Sequence, residues 1–138
     1  MRRIEEFESR LMNLAPNEDD FVLKVDELVE DFAGDFEPLI PAIFRFFEKN
    51  ALEDCGAPGT LVHLTEDYYP KYVPELLESL KRRPSYNTIL MINRILNSEL
   101  TAEQRTEFMD ILTQISEKAT LEPELRKEAS DFIAYQNS

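Results

Sequence analysis

The spacing of apolar residues is the feature that most restricts the fold of this chain. In the first segment, from about Arg2 to Leu14, apolar side chains fall at Ile4, Phe7, Leu11 and Leu14. Residues with this spacing lie on one face of a helix, and similar spacing recurs along the rest of the sequence. Only three of the 138 residues are glycine, and β-branched residues do not cluster in alternating runs. The pattern therefore predicts an all-α fold.

Prolines and capping residues divide this pattern into about eight helices. The second is expected to be capped by Asn17, with residues 18–20 as an acidic first turn, and to end at Gly34. The remaining expected helices are a third from Asp35–Pro38 to Asn50, a short fourth around residues 61–64 that ends by Tyr68-Tyr69-Pro70, a fifth from Lys71 to Arg83, a sixth capped by Ser85, a seventh opened by Thr101 and Gln104 as a capping box, and an eighth entered through Pro123. With 43% apolar residues, we expect one helical domain over residues 1–138.

Two prolines indicate an internal repeat. Pro41 and Pro74 each lie in the first turn of an expected helix, and the offset between them also superposes Ile43 on Leu76. Helix pairs that repeat every 30 to 47 residues or so are typical of α-solenoids. We therefore expect antiparallel helix pairs stacked as a solenoid. An irregular helical bundle is the alternative, because amphipathic helices give apolar matches at some offset in any case.

The chain is strongly acidic. It has 28 acidic and 15 basic residues and a net charge of −13. This excess repels nucleic acid and anionic membranes and attracts basic proteins. We therefore expect a basic protein partner and direct contact with neither nucleic acid nor membrane. The N-terminal segment has no apolar stretch typical of a signal peptide, so we expect a cytoplasmic protein.

The second helix concentrates this charge around its apolar stripe. Asp26, Glu27, Glu30 and Asp31 are offset only by Lys24. Like charges four positions apart cost a few tenths of a kcal/mol each, and a sequence selected for stability alone would place lysines among them. The arrangement favours an acidic binding face, with a merely solvated face as the alternative.

A second candidate segment follows the short fourth helix. In a solenoid, the second helix of each pair lines the concave binding surface, so helices two, four and six are expected to share it. Tyrosines beside carboxylates suit a protein interface because they combine a large contact area with a hydrogen bond. The candidate partner-binding residues are Asp26, Glu27, Glu30, Asp31, Glu66, Asp67, Tyr68 and Tyr69.

Residues for catalysis or metal binding are scarce. His63 is the only histidine, with Glu66 three positions on and Cys55, the only cysteine, in a nearby loop. Nothing around Cys55 resembles a helix N-terminus that would activate a thiolate, and we expect His63 to be a partly buried structural residue. A zinc site needs more ligands, and a phosphate loop needs more glycines. We expect no enzyme, no cofactor and no metal.

Residues 76–97 resemble part of the small HEAT-like immunity proteins of bacterial polymorphic-toxin and contact-dependent growth-inhibition systems. The likeness consists of a helix that ends in Lys81-Arg82-Arg83, a Pro84-Ser85 turn, and a helix reading Met-x-Asn-Arg-x-x-Asn over residues 91–97. It implies a HEAT-like stack and a protein that neutralises a cognate basic toxin, expected to be a nuclease, by occluding its active site or substrate path. A HEAT-like adaptor or scaffold for an unrelated partner is the alternative.

Three features within this segment have structural explanations from the sequence. The basic run 81–83 is expected to compensate the dipole at the end of the fifth helix. Asn93 is expected to bind backbone of a neighbouring helix. Arg94 is expected to pair with an acid of the neighbouring helix.

Overall fold

The computed structural model describes residues 2–56 and 58–138, and its regular elements are all helical. The helices are α1 (Arg2–Met12), α2 (Phe21–Asp31), a 3₁₀ turn (Glu37–Leu39), α3 (Ile40–Lys49), α4 (Thr60–Glu66), α5 (Val73–Arg82), α6 (Tyr86–Leu96), α7 (Ala102–Ser116) and α8 (Pro123–Gln136). The prediction of an all-α fold with eight helices is confirmed for this part of the chain.

The starts of the helices test the predicted caps. Ser85 caps α6 as predicted, and the predicted capping box of Thr101 and Gln104 opens α7. Ser85 also forms a capping box, with Thr88 as its partner. The prediction that Asn17 caps α2 is wrong. Successive turns bond the Glu18 amide to the Ala15 carbonyl and the Phe21 amide to the Glu18 carbonyl, so that α2 begins only at Phe21.

Helices α1, α3 and α5 pack in a row, and α7 packs most extensively on α8. α1 packs on α3 and α3 on α5, while α2 packs on α4 and α6 on α8. Arg45 donates to Glu8, and Lys49 to the carbonyl of Met12, at the same separation of 37 residues. The constant separation shows that α1 and α3 run in the same direction.

Contacts between α3 and α5 correspond to the predicted repeat. Glu48 of α3 accepts hydrogen bonds from Ser79 and Arg82 of α5, at separations of 31 and 34 residues that bracket the Pro41–Pro74 offset. Sequence-related helices therefore lie side by side with their C-terminal turns together. This arrangement is compatible with a solenoid or with a bundle, and HEAT-like stacking remains a prediction.

One cluster of buried side chains joins all eight helices. Its centre is aromatic: Phe7, Phe44, Phe46 and Phe47 are at most 1% exposed, and the Phe21 ring stacks on Phe46 at a centroid distance of 6.0 Å. Aromatic side chains bury the largest apolar area per residue, so these rings hold α1, α2 and α3 together. α2 is thereby fixed with its opposite face outward.

Candidate protein-binding surface

The outward face of α2 combines apolar and acidic side chains. Val22 and Leu23 are 52% and 61% exposed, and Asp26, Glu27 and Glu30 are exposed on the same side of the helix. With about 100° of rotation per residue, these five positions and position 31 form one continuous arc. We call this arc the α2 surface, formed by Val22, Leu23, Asp26, Glu27, Glu30 and Asp31.

The carboxylates of the α2 surface differ in their pairing. Asp31 forms an ion pair with Arg10 of α1 at 2.8 Å, and Asp26 accepts a hydrogen bond from the Thr60 hydroxyl of α4. Glu27 and Glu30 have neither an ion pair nor a side-chain hydrogen bond within residues 2–56 and 58–138. The middle of the arc therefore carries two carboxylates with no ion-pair partner among the described residues, which we call uncompensated and which are available to a basic ligand.

Lys24 does not neutralise this middle region. Its ammonium group lies 3.3 Å from the carboxylate of Asp20, one turn earlier, in an exposed ion pair. The only base of α2 is thereby directed toward the start of the helix, away from Glu27 and Glu30.

Glu66, at the end of α4, binds the neighbouring helix. Arg94 of α6 donates to its two carboxylate oxygens at 2.6 and 3.0 Å. This confirms the prediction that Arg94 pairs with an acid of a neighbouring helix, and the bond raises the pKa of Arg94. The charge of Glu66 is thus balanced within the fold and links α4 to α6.

The three residues after Glu66 have different environments. The Tyr68 hydroxyl accepts a hydrogen bond from the Phe36 amide at 2.8 Å and donates to Asp35 at 3.1 Å, which anchors the loop between α2 and α3. Asp67 is exposed, and Tyr69 is 44% exposed. Asp67 and Tyr69 are therefore the accessible members of this segment.

Helices α2, α4 and α6 follow one another across this side of the molecule. α2 packs on α4, with Asp26 bonded to Thr60, and the Glu66–Arg94 pair joins α4 to α6. The candidate residues on α2 and after α4 therefore belong to adjacent helices. Sequence reasoning missed Val22 and Leu23, although both fall outside the buried stripe of Phe21, Val25 and Leu28 on a helical wheel.

The surroundings of Cys55 and His63 differ from those of a nucleophile and its base. Burial, together with the nearby carboxylates of Asp54 and Glu53, raises the pKa of the Cys55 thiol to about 12. The His63 side chain is 58% exposed, so the prediction of a partly buried histidine is wrong. Within the described residues, no group of three or more His, Cys, Asp or Glu side chains is arranged to hold a metal ion.

The two arginines of the basic run at the end of α5 bind other parts of the fold. Arg82 binds Glu48 of α3 at 2.8 Å, and Arg83 binds both carboxylate oxygens of Glu122 at 2.6 Å. Lys81 and Arg82 lie in the last turn of α5, where the predicted dipole compensation places them, and the ion pairs of the two arginines come in addition to it. Lys81 is exposed and lies 4.0 Å from Glu78.

Asn93 also takes part in a contact between helices, but not with backbone as predicted. Its side-chain oxygen accepts a hydrogen bond from Gln136 of α8 at 2.8 Å. Gln136 in turn accepts from Arg105, near the start of α7, at 3.0 Å. Because Gln136 ends α8, this second contact shows that α7 and α8 are antiparallel.

Comparison with known proteins identifies no relative: no family model matches the chain, and no curated protein or solved structure is significantly similar to it. No helix in the described part of the chain is long and apolar enough to span a membrane. The chemistry of the surface is then the basis on which a function can be proposed.

Proposed function

We propose that this chain is a protein-binding inhibitor, and that it acts as an immunity protein that neutralises a cognate basic bacterial toxin. The α2 surface is the observation that supports this most directly. It places two exposed apolar side chains, Val22 and Leu23, beside two uncompensated carboxylates, Glu27 and Glu30. Apolar contact supplies affinity at short range, and unbalanced charge selects a partner of opposite sign.

The proposed mechanism is capture followed by occlusion. A nuclease domain is basic where it binds phosphate, so the acidic chain attracts it over roughly a Debye length of 8 Å and speeds the encounter. On contact, burial of the half-exposed Val22 and Leu23 contributes about 1 kcal/mol each. The bound inhibitor then covers the active site or the path of the substrate. A HEAT-like scaffold and a cytoplasmic location are parts of the same proposal.

The proposal is tested by using variants of the chain as bait in lysate of the source bacterium. The test variant is Glu27→Lys with Glu30→Lys, which reverses the two uncompensated charges. The matched control is Glu99→Lys with Glu117→Lys, two exposed acids beside the ends of α7 that have no ion pair within the described residues. Both variants change the net charge equally, so a difference between them reports the position of the charge and not its amount.

We expect wild type and control to retain one stoichiometric basic protein at low salt, and to retain less of it at ~0.5 M salt. The test variant should lose it, with an association rate about tenfold lower in stopped-flow measurements of the purified pair. Equal capture by the two variants would contradict the role of the α2 surface. Several partners, or none that is basic, would instead favour an adaptor.

A further inference from the structure

A groove with a volume of about 620 Å³ lies between α5 and α7, away from the α2 surface. Its lining includes Leu77 and Leu80 of α5 and Ile111 and Ile115 of α7. Leu80 and Ile115 are each 6% exposed, whereas Leu77 and Ile111 are only half-buried. The groove therefore has an apolar floor that remains open to solvent.

One end of the groove is acidic. Glu107 and Asp110 of α7 line it, both are exposed, and neither has an ion pair or a side-chain hydrogen bond within the described residues. Glu103, one turn before Glu107, is also exposed and equally without such a partner. This rim is thus a row of carboxylates that form no ion pair with the part of the chain that the structure describes.

The other end of the groove is basic. Arg83, directly after α5, binds Glu122, six positions after the end of α7, at 2.6 Å. This ion pair joins the end of α5 to the N-cap of α8, which follows α7 after a short loop, so Lys81 and Lys118, near the ends of α5 and α7, line the same end of the groove. Glu107 lies about 13 Å along the α7 axis from Ser116, which is two residues before Lys118. The groove therefore has an electrostatic polarity along its length.

We propose that this groove binds an amphipathic helix of a partner protein, with the apolar stripe of that helix on the groove floor. Its N-terminal half carries basic residues that face Glu107 and Asp110, and its C-terminal half carries acidic residues that face Lys81 and Lys118. In this direction the positive end of the helix dipole also lies at the acidic rim. Laying an apolar helix face into a groove between helices is a common mode of recognition. This site extends beyond the proposed function because it does not involve α2.

Charge argues against a second copy of this chain as the occupant. Each copy carries a net charge of −13, so two copies repel each other at long range. The exposed acids Glu107 and Asp110 of each groove would add to this repulsion.

The test uses two hydrocarbon-stapled peptides of about 14 residues, or roughly 21 Å of helix, with the same leucine stripe. The basic-first peptide has lysines beside the stripe in its N-terminal half and glutamates in its C-terminal half, and the acidic-first peptide has these charges exchanged. Staples keep both peptides equally helical, as circular dichroism can verify. Fluorescence anisotropy then gives the Kd of each peptide for the full chain.

We expect the basic-first peptide to bind about three- to tenfold more tightly than the acidic-first peptide, as two or three exposed ion pairs would give. Glu107→Lys with Asp110→Lys should remove this preference. Leu77→Asp should abolish binding of both peptides, while the control Leu23→Asp on α2 should leave it unchanged. If Leu77→Asp does not fold, Gln114→Trp replaces it in the test. Gln114 is exposed and lines the groove, so the larger Trp side chain should fill the groove and abolish binding of both peptides.

Three results would overturn the proposal. The first is a Kd weaker than about 1 mM for both peptides. The second is equal affinity of the wild-type chain for the two charge patterns, and the third is peptide binding that survives both Leu77→Asp and Gln114→Trp. Self-association that is detected by sedimentation velocity and removed by Leu77→Asp would instead assign the groove to a second copy. None of these results depends on the α2 surface, so failure here is distinguishable from failure of the proposed function.

Discussion

Removal of the Glu66–Arg94 pair is predicted to weaken the junction between α4 and α6. The pair has two hydrogen bonds, of 2.6 and 3.0 Å, and the Arg94 and Glu66 side chains are 34% and 22% exposed. Hydrogen bonds to charged groups contribute about 1.5–3 kcal/mol, whereas exposed ion pairs contribute less than about 1 kcal/mol. For this partly exposed bidentate pair we expect a coupling energy between these limits, about 1–1.5 kcal/mol.

The coupling energy is measured with a double-mutant cycle of Glu66→Gln and Arg94→Gln, from the free energy of unfolding in urea. The control cycle uses Lys127 and Asp131, an exposed pair on α8 with a distance of 2.7 Å, for which we expect about 0.3–0.5 kcal/mol. A coupling for Glu66–Arg94 no larger than that of the control would refute the reasoning. Glu66 would then be free to bind a partner, and Glu66→Gln should slow association without destabilising the fold.

Three further predictions concern a pH dependence, a thiol and a helix cap. The two hydrogen bonds from Arg83 lower the pKa of Glu122 from 4.5 to about 2. The ionised carboxylate therefore stabilises the fold above pH 4.5, and this stabilisation is lost as the pH falls toward 2. Urea unfolding of Glu122→Gln and wild type should therefore differ at pH 7 and converge near pH 2, and a constant difference would contradict the assignment. Burial raises the pKa of Cys55 to about 12. Iodoacetamide at pH 8 should therefore modify the native chain at least about a hundredfold more slowly than the urea-unfolded chain. Equal rates would show that the native chain has an accessible thiolate. Ser85→Ala should lower the free energy of unfolding by about 1–2 kcal/mol, and by more than Thr101→Ala does. The reason is that the capping box of Ser85 is buried and that of Thr101 is exposed. Equal losses of the two variants in urea unfolding would disprove the role of burial.

Local features of the fold could be predicted from the sequence. The capping boxes at Ser85 and Thr101 depend on residues three positions apart, and the first-turn prolines Pro41 and Pro74 depend on position within one helix. Such interactions are determined by neighbours in the sequence, so a pattern is sufficient to identify them. The failure at Asn17 is also local, because two consecutive turns, each closed by a bond between residues three positions apart, displaced the start of α2. A capping residue in the sequence does not exclude such turns.

The pairing of charges could not be predicted because the partners are distant in sequence. Arg83 and Glu122 are 39 residues apart, and Glu66 and Arg94 are 28 apart. A helical wheel shows that such side chains face outward from their own helix, but not which neighbouring helix they meet. Glu66 and Glu27 therefore had equal standing as candidates in the sequence, although only Glu27 lacks a counter-charge among the described residues.

The distribution of paired charges separates solubility from recognition. Arginines on α1, α3, α5 and α6 form ion pairs with carboxylates of other segments, so much of the positive charge is used to hold helices together. Several acids of α2 and α7 are left without an ion-pair partner among the described residues. Solubility alone would need only net charge, and it is impaired by exposed apolar side chains. On α2 and in the groove, unpaired acids lie beside accessible apolar residues, Val22 and Leu23 in the first case and Leu77 and Ile111 in the second. That combination is unfavourable for a free surface and suited to one that is covered by a partner.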